Sequence, residues 1–114
     1  MEGGSEGCVV ATAALIAQGK PDDCVELQIL RKWRDEFVLY HPEGKELIGK
    51  YYALAPLVVG MIKTLHFQEQ KLVFKEIYEQ MVKGTITLLQ AGKPYEAGVH
   101  YWKYFEGLLN EWLR

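Results

Sequence analysis

The sequence has no long hydrophobic run, and this absence excludes one class of protein. The longest candidate stretch, Ala53 to Ile62, contains Pro56 and Gly60 and is far shorter than the ~20 apolar residues that span a bilayer. The first seven residues are acidic and glycine-rich, whereas a secretory or lipoprotein leader needs a hydrophobic segment before its cysteine. We therefore expect no transmembrane segment and a cytoplasmic protein with reduced thiols.

Basic clusters and metal-ligand spacings are also missing. The net charge is −2 and the lysines and arginines are dispersed, so the chain lacks the basic face that releases counterions from nucleic acid. No two of the three histidines are four residues apart, and the two cysteines lie sixteen positions apart, which does not match the spacing of zinc sites. We expect no nucleic-acid partner, no metal site and no cofactor.

Helical spacing of apolar residues is present along the whole chain, and no segment shows the alternation typical of a strand. The pattern predicts a compact all-α fold, a single-domain bundle of five or six helices over residues 7–114, after a flexible tail of residues 1–6. Glycine is expected to stop helices at Gly19 and Gly92, and Pro94 to start one. The expected helices cover about 8–17, 24–39, 45–54, a short apolar segment 57–65 after a break at Pro56, 67–90 and 94–113. Residues 61–114 are thus expected to form a long helical hairpin.

Cys8 is the residue whose position most suggests chemistry, because it opens the first helix. A thiol at a helix N-terminus meets the positive end of the dipole, which lowers its pKa. If helix one packs antiparallel to helix two, Arg34 and His41 lie near Cys8, with His41 as a base. Alternatively, Cys8 is a small buried group in an alanine-rich helix. Cys8 and His41 are therefore the candidate catalytic residues; a disulfide from Cys8 to Cys24 is not expected, because a helix of ~15 Å separates them.

Charged residues of helix two form the strongest polar group. Arg31 and Asp35 are four residues apart, a spacing that predicts an ion pair along the helix. Arg34 lies beside the apolar stripe and is expected to reach a partly buried site. There it either ties helix ends together or holds an anion or carboxylate, for which the guanidinium fork is well suited.

Thr12, Tyr51 and Tyr52 extend this predicted polar cluster. The hydroxyl of Thr12, one turn after Cys8, is expected either to bond back to the Cys8 carbonyl or to face the same pocket. Tyr51 and Tyr52 point to different sides of their helix, so one is expected in the core and one in solvent. A buried hydroxyl needs a partner, which the charged side chains of helix two would supply.

The last helix carries more aromatic residues than one buried stripe requires. Packing on two sides within the domain is one explanation, and an interface with a protein partner or a second copy is the other, since Trp and Tyr are common interface anchors. The candidates for such an interface are Tyr101, Trp102, Tyr104 and Trp112.

Three ordered blocks, GCVVATAA, LRKWRDEF and GKELIGKYYALAP, resemble the bacterial CFI-box domain. That family is typified by a Cys-Phe-Ile-Ala-Thr-Ala-Ala opening, a Leu-Arg-x-Phe-Arg-Asp segment and a Tyr-Tyr-x-x-x-Pro segment. The corresponding positions are Cys8, Ala11, Thr12, Ala13, Ala14, Leu30, Arg31, Trp33, Arg34, Asp35, Gly44, Tyr51, Tyr52 and Pro56. Val9 and Val10 stand in place of the family's Phe-Ile, and Trp33 in place of its Phe. The resemblance covers residues 7–60 and implies a site without an assigned activity.

Two hypotheses about function follow. The first is a small helical interaction module that binds a protein partner or itself. The alternative is a thiol-dependent enzyme, or a thiol-modified protein, that uses Cys8. The sequence has no clear set of acid, base and orienting residues, so it favours the interaction module.

Overall fold

Five helices make up the part of the chain that the computed structural model describes, residues 9–114. The helices are α1 (Val9–Ala17), α2 (Val25–Glu36), α3 (Pro42–Ile62), α4 (Phe67–Ile77, Tyr78–Val82 and Lys83–Gln90, in one continuous run) and α5 (Pro94–Leu113). A single 3-10 turn, Val38–Tyr40, joins α2 to α3. The described residues contain no strand. The prediction of an all-α single-domain bundle is confirmed, while Cys8 and the expected tail lie outside the described residues.

Glycine and proline mark the helix ends as predicted. Gly19 and Gly92 have left-handed backbone angles, φ of 82° and 76°, which a residue without a Cβ adopts freely. They follow the ends of α1 and α4. Pro94 occupies the first turn of α5, where its missing N–H costs no helical hydrogen bond.

The predicted break at Pro56 is wrong. Helix α3 continues through this residue from Pro42 to Ile62, so the expected helix 45–54 and the apolar segment after it form a single helix. Pro56 lies on the exposed side of α3, where water can hydrate the backbone group that loses its partner. Residues on the opposite side, among them Ala55 and Val58, are fully buried and hold the helix together by packing.

Helix α2 ends earlier than predicted, because the chain turns at Phe37 into the 3-10 segment and then into α3. This segment lies directly on α3. A Cβ at Gly44 would be 2.2 Å from the carbonyl oxygen of Val38, so only glycine permits this contact. The turn brings the end of α2 beside the start of α3.

Helix α1 contributes to two clusters of buried side chains. Val10 and Ala14 belong to one cluster of buried side chains, whereas Ala11 and Leu15 belong to a second. All four have an exposure of 0%. The first cluster is completed by Tyr51, Ala55, Val58, Ile62, Phe74, Ile77, Met81, Phe105, Leu108 and Leu109, and the second by Leu27, Leu30, Val82 and Ile86. The small side chains of α1 allow both clusters to pack closely against its backbone.

A π-helical segment, Tyr78–Val82, interrupts α4. The Nε2–H of His100 on α5 donates a hydrogen bond of 2.7 Å to the carbonyl oxygen of Gln80 in this segment. Gly84 faces the same imidazole: a Cβ built on it would lie 2.5 Å from Nε2 of His100. The glycine that weakens α4 on propensity grounds is therefore needed for the close approach of α5.

We expect Gly84→Ala to lower the free energy of unfolding by about 1–3 kcal/mol, because the added methyl displaces the His100 imidazole. Gly107→Ala is the matched control: no atom lies within 4 Å of a Cβ at this exposed position of α5, so it should raise the free energy by about 0.5–1 kcal/mol. Urea denaturation followed by circular dichroism measures both. A Gly84→Ala variant as stable as the native chain would contradict this account.

Candidate functional site

A cleft of about 380 Å³ opens between α2, α3 and α5. Its walls are mostly apolar and aromatic, and its charged residues, apart from one buried arginine, lie at the exposed mouth. The lining residues are Leu30, Trp33, Arg34, Phe37, Val38, His41, Glu43, Gly44, Leu47, Ile48, Tyr51, Pro94, Tyr95, Gly98, Val99, Tyr101, Trp102, Lys103 and Glu106. Of the residues that the sequence analysis singled out, Arg34, His41, Tyr51, Tyr101 and Trp102 thus come together around one space.

Tyr51 connects the cleft to the centre of the fold. Its hydroxyl accepts a hydrogen bond of 2.9 Å from the backbone N–H of Val10 in the first turn of α1. The same hydroxyl lies 2.9 Å from the hydroxyl of Tyr101 on α5. First-turn N–H groups have no partner within their own helix, so Tyr51 satisfies one of them and fixes α1, α3 and α5 to each other.

Aromatic rings continue from this bond along the wall of the cleft. The Tyr101 ring lies 5.8 Å from that of Tyr51 and 5.9 Å from that of Trp33, centroid to centroid. The Nε1–H of Trp33 donates a hydrogen bond of 3.3 Å to the carbonyl oxygen of Pro94 at the start of α5. These contacts hold the end of α2 against α5 and set the width of the cleft.

Tyr51 is 4% exposed and Tyr52 is 38% exposed, which confirms that one of the pair is in the core.

Arg34 brings a charge into the cleft, where its side chain is only 9% exposed. Its Nε donates a hydrogen bond of 2.7 Å to Oδ1 of the exposed Asp35.

The predicted ion pair between Arg31 and Asp35 is wrong. Arg31 instead donates to Asp22, through bonds of 3.0 Å to the carbonyl oxygen and 3.1 Å to Oδ1, because the turn before α2 folds back along the helix and brings Asp22 within reach.

The predicted thiol site is only partly described, since Cys8 lies outside residues 9–114. His41 is exposed at the mouth of the cleft, where its Nδ1–H donates a bond of 3.0 Å to the carbonyl oxygen of Phe37. The hydroxyl oxygen of Thr12 is buried and has no hydrogen-bond partner among residues 9–114. Cys24, at the N-cap of α2, is a free and half-buried thiol.

The four aromatic interface candidates of α5 are half-buried, and all pack against the first core cluster. The rings of Trp102 and Phe105 lie 5.5 Å apart, centroid to centroid, and are tilted by 51°. Burial and the neighbouring carboxylates of Glu76 and Glu111 raise the pKa of Tyr104 to about 12. Contacts within the domain therefore account for much of the aromatic excess on this helix. The lining of the cleft accounts for the remaining aromatic side chains.

A second surface, which we call the outer face of α3, was not predicted from the sequence. Gly49, Ala53, Pro56, Leu57, Gly60 and Met61 form it, all exposed and all at helical spacings of three and four. Leu57 is 55% exposed and Met61 45%, and Tyr52 lies at the edge. The signal was the charge-free run from Tyr51 to Ile62, which the expected break at Pro56 concealed by dividing it into two segments.

Two classes of feature are not found in residues 9–114. None of their helices is both long and apolar enough to cross a membrane. These residues also contain no group of three or more His, Cys, Asp or Glu side chains placed to hold a metal ion.

Comparison of the chain with models of protein families, with curated proteins and with solved structures finds no match in any of the three. The resemblance of residues 7–60 to the CFI-box domain stays a prediction.

We expect Tyr51→Phe to lower the free energy of unfolding by about 1–3 kcal/mol, because the Val10 N–H loses its partner in a buried position. Tyr40→Phe is the control, since the Tyr40 side chain is 80% exposed and should contribute little. Thermal and urea denaturation measure both variants. Equal stability of Tyr51→Phe and the native chain would show that this hydroxyl does not hold α1 in place.

Proposed function

We propose that the protein is a small helical interaction module that binds one amphipathic helix of a partner protein along the outer face of α3. The observation that carries the proposal is the exposed, charge-free side of this helix. An α-helix that is apolar on all sides is normally covered on all sides. The inner side of α3 is covered by the core, whereas Leu57 and Met61 on the outer face remain about half exposed.

The shape of the outer face suits a helix. Gly49, Ala53, Pro56 and Gly60 are small or compact and form a shallow central groove, while Leu57 and Met61 form a ridge beside it. Ridges of one helix fit into grooves of another when the axes approach to 8–10 Å. Small residues in the groove allow the two helix axes to approach to about 8 Å.

The size of the face favours a single helix over a second copy of the chain. From Gly49 to Met61 the face is about 18 Å long and about 10 Å wide, or roughly 200 Å². A standard protein interface covers about 800 Å² on each partner, so two folded domains that met only here would form a weak contact. A single helix, about 10 Å in diameter, matches the width of this face.

Charge at the ends of the face also disfavours a second copy. Lys45 and Lys63 are exposed and eighteen positions apart, which is about five helical turns, so they lie on the same side of α3. Pairing of two copies through this face, parallel or antiparallel, places lysine opposite lysine. The nearby Glu46 and Lys50, four residues apart on the other edge, can compensate each other. A partner helix with acidic residues at both ends would meet Lys45 and Lys63 with opposite charge.

The thiol-dependent alternative rests on Cys8, and no observation on residues 9–114 favours it. The resemblance to the CFI-box domain, which has no assigned activity, is compatible with an interaction module and is itself a proposal.

The test uses a fluorescent synthetic peptide of about 18 residues, with leucine and alanine on one face and glutamate at each end. Binding to the native chain is measured by fluorescence anisotropy. Leu57→Glu should weaken binding at least about ten-fold, because it buries a charge against the apolar face of the peptide. Leu72→Glu is the matched control: Leu72 is 70% exposed on α4, outside this face, and its change should leave binding unaltered.

Two further measurements make the test decisive. A peptide with lysine at each end should bind more weakly than the glutamate peptide, and the difference should shrink with added salt. Sedimentation velocity of the native chain and of Leu57→Glu tests whether a second copy of the chain binds to the outer face of α3. Failure of both peptides to bind, or a native dimer that Leu57→Glu dissociates, would refute the partner-helix proposal.

A further inference from the structure

The cleft is a separate feature from the outer face of α3. Leu47, Ile48 and Tyr51 line the cleft from one side of α3, whereas Ala53, Leu57 and Met61 are exposed on the other side. A ligand in the cleft and a helix on the outer face therefore touch different residues. The function of the cleft is independent of the function proposed above.

Aromatic side chains of two helices, α2 and α5, line the cleft. Trp33 and Phe37 approach from α2, Tyr95 and Trp102 from α5, and Ile48 from α3. Tyr95 is 62% exposed, so a considerable part of this apolar lining is in contact with water. Covering such surface releases about 25 cal/mol per Å², and flat rings gain further from offset stacking or edge contacts.

The lining has charges of both signs, and its one buried charge is paired within the protein. Arg34 and Lys103 are positive, and Glu43 and Glu106 are negative. The buried Arg34 is in addition paired with the carboxylate of Asp35 at 2.7 Å. The three other charged residues are exposed at the mouth, where water screens them. Because Arg34 is already paired and the exposed charges are screened by water, a charged ligand would gain little from the lining, so an uncharged one is favoured.

The volume of about 380 Å³ lies near the lower end of the range of pockets that bury small organic molecules, ~300–1,000 Å³. Such pockets are largely apolar and contain a few polar groups that orient the ligand. The hydroxyls of Tyr51 and Tyr101 and the guanidinium of Arg34 are the polar groups here.

We infer that the cleft is a binding site for an uncharged, flat and mostly apolar small molecule of two or three rings. Aromatic side chains of α2 and α5 contact its rings. Tyr51, Tyr101 and Arg34 contribute polar atoms to the lining.

The experiment compares two dyes with the same ring skeleton. N-phenyl-1-naphthylamine is uncharged, and 8-anilinonaphthalene-1-sulfonate adds one negative charge to the same rings. Each is titrated into the folded full-length chain at neutral pH, with fluorescence of the dye and energy transfer from Trp33 and Trp102 as readouts. The neutral dye should bind at least about ten-fold more tightly than the anionic dye.

Two cleft variants and one control locate the site. Val99 is 42% exposed on the cleft wall. The Val99→Trp substitution fills the space and should weaken binding of the neutral dye at least about ten-fold. Leu72→Trp adds the same bulk to exposed Leu72 on α4 and should leave binding unchanged. Gly98→Ala is the milder variant: its Cβ would lie 3.7 Å from Cζ2 of Trp33, an ordinary contact that the fold tolerates, and should weaken binding about two- to five-fold.

The outcomes separate the alternatives. Tighter binding of the anionic dye, lost with added salt, would overturn the inference in favour of an anion site at Arg34. Binding that is the same in Val99→Trp, Gly98→Ala and the native chain, or no binding of the neutral dye, would also overturn it. Leu57→Glu should leave binding of the neutral dye unchanged. Failure of the partner-helix proposal and failure of this one are thus distinguishable.

Discussion

The packing of α1 between two clusters of side chains is the contact on which the rest of the structure depends. Val10 and Ala14 face one cluster and Ala11 and Leu15 the other, and none of the four is exposed. A helix of nine residues is too short to be stable alone in water, so α1 owes its structure to the burial of these four side chains. In return, its small side chains permit the close approach of α3 and α4. A larger residue at Ala11 or Ala14 would push the two clusters apart.

One hydrogen-bonded tyrosine links this central helix to the cleft. The Tyr51 hydroxyl accepts from the Val10 N–H and meets the Tyr101 hydroxyl, so α1, α3 and α5 converge at a single polar point inside an apolar core. Ring contacts extend from Tyr101 to Trp33 and position α2. The walls of the cleft are therefore held by the same interactions that hold the core, which makes the cleft a preformed space rather than a gap between mobile elements.

Helix α3 has two roles because both of its sides are apolar from Tyr51 to Ile62. Its inner side contributes to the core and the cleft, and its outer face stays in contact with water over about three turns. The proline at position 56 fits this arrangement, since it lies on the exposed side and adds neither a charge nor a long side chain there. Burial of Ala55 and Val58 on the inner side offsets the loss of one backbone hydrogen bond. The two candidate binding surfaces thus lie back to back on one helix.

The sequence by itself determined the fold class, the helix stops at Gly19 and Gly92, and the start of α5 at Pro94, because these depend on local spacing and backbone preference. It also indicated Arg34, His41, Tyr51, Tyr101 and Trp102, which the structure brings to one cleft. The tertiary structure alone decided that α3 continues through Pro56, since packing on one side of a helix outweighs a local break. It also decided that Arg31 pairs with Asp22 and not with Asp35, and that Gly84 and Gly44 serve close contacts with His100 and Val38. These outcomes depend on which distant residues share a neighbourhood, and spacing along the chain does not contain that information.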